Sequence, residues 1–325
     1  MFRNQYLLTN KRIPKQNNIN QINIHKFILY YGKDIECHTV KKEKIQITVL
    51  GYFFHCYNNL SEQELIRKLT TLDEEALLDE VDCWCGHFIL IVAKKNIKIY
   101  NDACASFKVF YGKEDDRKII GSDPKIIREF FDFKEDNSHE KLVFYKSKFF
   151  NKNRTKIGHD TRFKNLYQLV SNHCLNVEEN TSERIFPRKK REEVLKKSAG
   201  KKLISIFKHL TLLIEKRYTV YASLTAGYDS RLVMAATKEV SKKVEYYTFK
   251  IAKQDESYID YTLPKKITSD LNLNYSFIHI KELPENIKET ILSSYDLPLL
   301  REFEQYRNIF PKNKKQNILL VGYVN

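Results

Sequence analysis

Apolar and polar positions divide this chain into two stretches of different rhythm. In the first, residues 86–92, 97–100 and 107–111 are short β-branched and aromatic runs separated by polar turns. Their spacing predicts three strands in an antiparallel meander. Ile119 and Ile120 then lead through Gly121-Ser122-Asp123-Pro124 into a short helix running to Phe131. Earlier, Ser61-Glu62-Gln63-Glu64 is a capping box that opens a short helix.

The second stretch alternates strands with helices. Leu203, Phe207, Leu210 and Ile214 mark a long amphipathic helix. A strand-like run at 218–224 follows, then an amphipathic helix at 232–240 and a second strand at 244–249. Ile259, Leu263, Ile267 and Leu271 recur every four residues, one face of a helix that Pro264 must bend or help to start. Further strands are expected at 275–280 and 317–321. This order implies right-handed crossovers and a parallel sheet with ligands at the carboxyl ends of its strands.

Between the strand at 218–224 and its helix lies Thr225-Ala226-Gly227-Tyr228-Asp229-Ser230. A strand, a turn of small residues and a helix opened by Asp and Ser suit a pyrophosphate. Free amides and the positive dipole end at a helix N-terminus attract anionic oxygens. Asp229 can hold Mg²⁺ against those oxygens, and Ser230 can donate a hydrogen bond. This stretch resembles the SGGxDS loop of N-type ATP pyrophosphatases, in particular the asparagine synthetase family. Thr225 stands for the family's Ser and keeps its hydroxyl, whereas Ala226 replaces the first Gly and adds a methyl. The resemblance implies ATP and Mg²⁺, with adenine near Leu224 and Ile251, phosphates on Thr225, Ala226, Gly227, Asp229 and Ser230, and metal on Asp229. It also matches Asp260 to a carboxylate near the start of the next helix, and Gly322 to the same sheet edge.

The N-terminal half is similar to the glutamine-amidotransferase domain of that family. Gly86-His87-Phe88 follows its Gly-x-Phe strand, Asp102 to Tyr111 its D-x-x-G turn with Ala105 for the Gly, and Ser122 to Lys125 its S-x-x-K segment. The family's glutaminase uses a Cys directly after the initiator Met, but Phe2 stands there and the first cysteine is Cys37. A thiol nucleophile with its own α-amine as base cannot form. Family members that lack this Cys, such as β-lactam synthetases, use an amine from the substrate instead of ammonia, and the resemblance implies the same here.

The fold expected is therefore an α+β amidotransferase-like sandwich over residues 1–165 and an α/β parallel-sheet pyrophosphate-loop domain over 185–325. Between them, Asn172 and His173 are turn residues preceding a short hairpin. The second domain reads as incomplete, ending in Gly322-Tyr323-Val324-Asn325, with Val321 and Val324 departing from the family's Gly-rich loop. A homo-oligomer or a partner would then cover the truncated face.

A hydrophobic fraction of 42% in 325 residues is globular and sufficient for two cores. The longest apolar runs fall short of a membrane span. Six cysteines include a C-x-C at Cys83 and Cys85, which His87 alone does not complete into a metal site. Reduced thiols in a cytoplasmic protein explain them. The net charge of +15 raises nucleic acid as a partner, but the basic clusters read more simply as solvated surface. Two functions remain in view. One is an ATP-dependent ligase that adenylates a small-molecule carboxylate for attack by an amine. The other is a truncated, inactive relic acting as a binding or interaction protein.

Overall fold

The computed structural model describes residues 4–153, 158–190, 193–250, 255–296, 300–309 and 317–321. The chain divides into two compact units. One comprises Met1–His55, Leu60–Arg191 and Glu289–Pro298, and the other Cys56–Asn59, Glu192–Lys288 and Leu299–Asn325. No helix among the described residues is long and apolar enough to cross a membrane.

The first unit carries strands β1 (Tyr6–Thr9), β2 (Ile19–Ile24), β3 (Phe27–Gly32), β4 (Cys37–Lys42), β5 (Ile45–His55), β6 (Trp84–Ala93), β7 (Ile97–Asn101), β8 (Phe110–Glu114), β9 (Arg117–Gly121), β10 (Leu166–Gln168), β11 (His173–Asn176) and β12 (Thr181–Arg184). They form two antiparallel six-stranded sheets, ordered β10-β8-β9-β1-β3-β2 and β12-β11-β7-β6-β5-β4. Strand alternation builds the layers. Tyr6 and Leu8 of β1 meet Ile89 and Ile91 of β6 in the central core. Leu7 points the other way, onto Ile126 and Ile127 of α3 (Pro124–Arg128). On the far face, Phe88 and Leu90 pack with Leu65, Leu69, Leu77 and Leu78 of α1 (Glu62–Leu69) and α2 (Glu74–Val81). The result is a helix–sheet–sheet–helix stack with both sheet faces buried. Ser61 and Glu64 close the expected capping box at the start of α1. Two further helices, α4 (His139–Lys146) and α5 (Lys148–Asn153), follow α3.

The expected three-strand meander needs correction. β6 and β7 pair as anticipated, but residues 107–109 are not strand, and β8 pairs with β9 and β10 in the opposite sheet. Buried Asp102 redirects the chain. Its carboxylate accepts the backbone N–H of Cys104, Ser106 and Phe107 and the hydroxyl of Ser106, at 2.9–3.1 Å. Ala105 crosses the turn at φ 49°, where the resembling family has glycine. Gly86 has its own steric reason. At φ +148°, a Cβ on it would lie 2.2 Å from the Tyr52 carbonyl oxygen on β5. Residues 173–184 form the expected hairpin, β11 and β12, which extends the second sheet.

Asp123 caps α3 by accepting the Lys125 N–H at 2.8 Å, and it also accepts the Asp296 N–H at 2.9 Å. Burial raises its pKa to about 7, against the lowering effect of those two N–H groups. The neighbouring Asp296 carboxylate pushes the same way as burial, and Lys108 opposes it.

The second unit holds α6 (Lys196–Arg217), β13 (Thr219–Ser223), α7 (Tyr228–Ala236), β14 (Val244–Lys250), α8 (Ile259–Asp270), β15 (Tyr275–His279), α10 (Leu300–Ile309) and β16 (Asn317–Leu320), while α9 (Glu285–Ser294) begins in it. All four strands pair in parallel, in the order β15-β14-β13-β16, so the parallel sheet expected from the alternation is present. The helix after β13 starts four residues earlier than its apolar pattern suggests and ends at Ala236, followed by a 3₁₀ segment Lys238–Lys243. Its first turn is polar, so amphipathic periodicity could not register it. Pro264 sits inside α8.

Two predictions follow from the first unit. Ala105→Gly removes the cost of a left-handed alanine and is expected to stabilise the protein by about 0.5–1 kcal/mol, read from urea midpoints. Asp123 in the folded state keeps a proton that the unfolded chain releases above pH ~4, so its contribution to stability is full below that pH and is lost as pH rises towards 7. Comparing wild type with Asp123→Asn by urea denaturation across pH 4–7, wild type should lose stability relative to the variant by about 1 kcal/mol per pH unit.

Candidate functional site

The strand order of the parallel sheet singles out one edge. From β13 the chain moves outward through β14 to β15, then returns to pair β16 on the other side of β13. The direction of winding therefore reverses at β13, and the carboxyl end of such a strand is where open parallel sheets leave a crevice. Residues 224–227 leave β13 at that position and enter α7.

The root of this turn is fixed by β14. The Leu224 N–H donates to the Tyr247 carbonyl at 2.8 Å, and the Thr248 hydroxyl donates to the Leu224 carbonyl at 2.5 Å. Tyr275 on β15 donates its hydroxyl to Thr248 at 2.7 Å. Leu224 is fully buried, so both its backbone groups and its side chain serve the sheet.

Beyond Leu224 the turn satisfies its own amides. The Thr225 N–H donates to the Ser230 hydroxyl oxygen at 3.0 Å, and the Gly227 N–H donates to the Thr225 hydroxyl oxygen at 3.2 Å. The two hydroxyls lie 3.0 Å apart. Buried Ser230 thus braces the turn from inside. The Ala226 N–H donates to the Asp260 carboxylate in the first turn of α8, at 2.7 Å.

The start of α7 is different. Gly227 is its N-cap, with φ −65° and ψ 154°, and no side chain caps the helix. The first-turn amides of Tyr228, Asp229 and Ser230 have no carbonyl a turn earlier to receive them. They present donors and the positive end of the helix dipole to an incoming anion. Gly227 needs no unusual backbone angle, but a Cβ there would come within 3.3 Å of the Thr225 hydroxyl. Asp229 is exposed beside these amides, and among the described residues no hydrogen bond or ion pair engages its carboxylate. Arg231 folds back, donating from Nε to the Gly227 carbonyl at 3.3 Å, with its guanidinium 4.7 Å from the centre of the Tyr228 ring.

Of the residues singled out from sequence, Leu224, Thr225, Ala226, Gly227, Asp229 and Ser230 lie together at this turn. Ile251 and Gly322 fall outside the described residues. The sequence matched Asp260 to a family carboxylate but gave no sign that it reaches the Ala226 amide. Thr248, Tyr275 and Arg231 stood in segments the sequence singled out, but nothing in it showed that Thr248 and Tyr275 anchor the root of the turn or that Arg231 folds back onto Gly227. No group of three or more His, Cys, Asp or Glu side chains suited to a metal occurs among the described residues. Any metal here would have to bring other ligands with it.

No protein-family model matches the chain, and no curated protein matches it. Among solved structures it is similar to glutamine phosphoribosylpyrophosphate (PRPP) amidotransferase from B. subtilis complexed with ADP and GMP, at 8% identity and a TM-score of 0.30, over 75% of this chain and 56% of that one. It is also similar to the structure of the allosteric regulatory enzyme of purine biosynthesis, at 7% identity and a TM-score of 0.32, over 91% of this chain and 67% of that one. The chain thus spans little more than half the length of the first of these proteins. Scores this low assign neither a family nor an activity.

Thr248→Val tests how the turn is anchored. It keeps the volume but leaves the Leu224 carbonyl and the Tyr275 hydroxyl unmet, and it is expected to cost about 1–3 kcal/mol in chemical denaturation.

Proposed function

We propose that the second unit binds ATP at the turn before α7 and transfers its adenylyl group to a small-molecule carboxylate, which an amine then converts to an amide. The observation that carries this reading is the uncapped start of α7, with three first-turn amides and the exposed Asp229 carboxylate together at the switch point of a parallel sheet. The resemblance of Thr225 to Ser230 to the pyrophosphate loop of asparagine synthetases supplies the reaction class.

The chain's own residues have distinct tasks in this scheme. Amides of Tyr228, Asp229 and Ser230 hold the β- and γ-phosphate oxygens. Ser230 and Thr225 keep the turn in shape through their shared hydrogen bonds. Arg231 lies close enough to the turn to add positive charge. Asp229 would hold the magnesium that accompanies the nucleotide, whose chemistry when bound would be to offset negative charge on the leaving group. In the first step a carboxylate oxygen of the substrate bonds to the α-phosphorus while the bond from that phosphorus to the bridging oxygen breaks, releasing pyrophosphate. In the second, the amine nitrogen bonds to the acyl carbon, loses a proton, and AMP departs. Fixed dipoles aimed at the growing negative charge supply the catalytic gain, since they need no reorganisation as the reaction proceeds.

Asp229→Ala removes the metal-orienting carboxylate from an exposed position, so the fold should survive. With ATP, magnesium and a panel of carboxylates, pyrophosphate release is expected to fall about 100-fold or more. Release at the wild-type rate by a variant with an unchanged circular dichroism spectrum would refute the assignment. No release by the wild type with any carboxylate would favour the relic.

A further inference from the structure

The Ala226 amide is the one N–H of the turn held by a charged group. Thr225 and Gly227 donate to hydroxyl oxygens, whereas Ala226 donates to the Asp260 carboxylate at 2.7 Å. Charge-assisted bonds of this length are the stronger kind. Asp260 lies in the first turn of α8, whose N-cap Tyr258 makes no side-chain capping bond. The turn therefore already holds an anion of its own, supplied from 34 residues further along the chain.

The inference rests on the nucleotide reading given above. We propose that Asp260 is a resident counter-anion that holds the turn in shape and makes it select metal-complexed over free triphosphate. A free triphosphate would approach a turn flanked by two carboxylates, Asp260 and Asp229, and meet like charge on both. Magnesium on the phosphates would lower that repulsion and offer Asp260 a cation in exchange for the Ala226 amide. Removing the charge of Asp260 should therefore relax the metal requirement without removing the site.

Asp260→Asn and Asp260→Ala separate the possibilities. The asparagine oxygen can still accept the Ala226 N–H, so this variant keeps the shape of the turn and loses only the charge. The alanine variant frees the amide altogether. Binding of ATP would be measured by calorimetry for wild type and both variants, once with magnesium chloride and once with EDTA, after circular dichroism shows that all are folded. Wild type is expected to bind at least 100-fold more weakly in EDTA, and each variant no more than 10-fold more weakly. An unchanged ratio in the variants overturns the role of Asp260 while leaving the nucleotide reading intact, as does a wild type that binds both forms equally. Loss of magnesium-ATP binding in both folded variants also overturns it, because Asp260 would then be a required ligand. No uptake by any of the three proteins under either condition brings down the nucleotide reading and this inference together.

Discussion

The candidate site depends on how Leu224 is held. Its N–H and its carbonyl are both bound to β14, through the Tyr247 carbonyl and the Thr248 hydroxyl, and the Thr248 hydroxyl is itself held by Tyr275 on β15. Three parallel strands thus fix the point at which the chain leaves the sheet. Everything beyond it is short and polar, and could adopt many conformations if its root were free. With the root fixed, a few hydroxyl contacts suffice to set the remaining residues, and α7 begins with its amides directed away from the sheet edge. A rigid scaffold beneath a small functional turn is the usual division of labour in such proteins.

The two units stabilise themselves by different means. In the first, two antiparallel sheets bury each other, and helices cover both outer faces, so nearly every strand residue has apolar neighbours. Among its buried polar groups Asp102 is heavily bonded, with four donors sharing one carboxylate. In the second, the sheet is smaller, and the hydroxyls of Thr248 and Tyr275 form a short chain of bonds from β15 through β14 to the Leu224 carbonyl. Burying a hydroxyl is tolerable only when it is bonded, and here the bonds also place the turn.

Much of the parallel half was legible because its strands are short apolar runs separated by helix-length segments, a pattern with few alternative readings. The antiparallel half was harder. Residues 107–111 have strand character, but nothing in their periodicity says which sheet they join. Asp102 makes that choice through side-chain bonds to a turn, and local sequence reveals only that a turn is possible. The apolar pattern alone begins the helix after β13 only at Leu232, since Tyr228, Asp229 and Ser230 carry no apolar stripe, and it was the Asp-Ser pair after the small-residue turn that marked the true start of α7. The link between Ala226 and Asp260 was out of reach, because it joins two helix starts that only the folded sheet brings together.

The position of β13 has a consequence for how this unit is made. Both of its neighbours, β14 and β16, lie later in the chain, and β16 is the more distant by far. During synthesis the strand emerges with one flank unpaired, and it must wait for almost a hundred residues before that flank can close. Its sequence, Thr-Val-Tyr-Ala-Ser, is apolar enough at the centre to stick to other nascent chains in the meantime. The second unit should therefore lean on cellular chaperones more heavily than the first, whose β2 and β3 can pair as soon as they leave the ribosome.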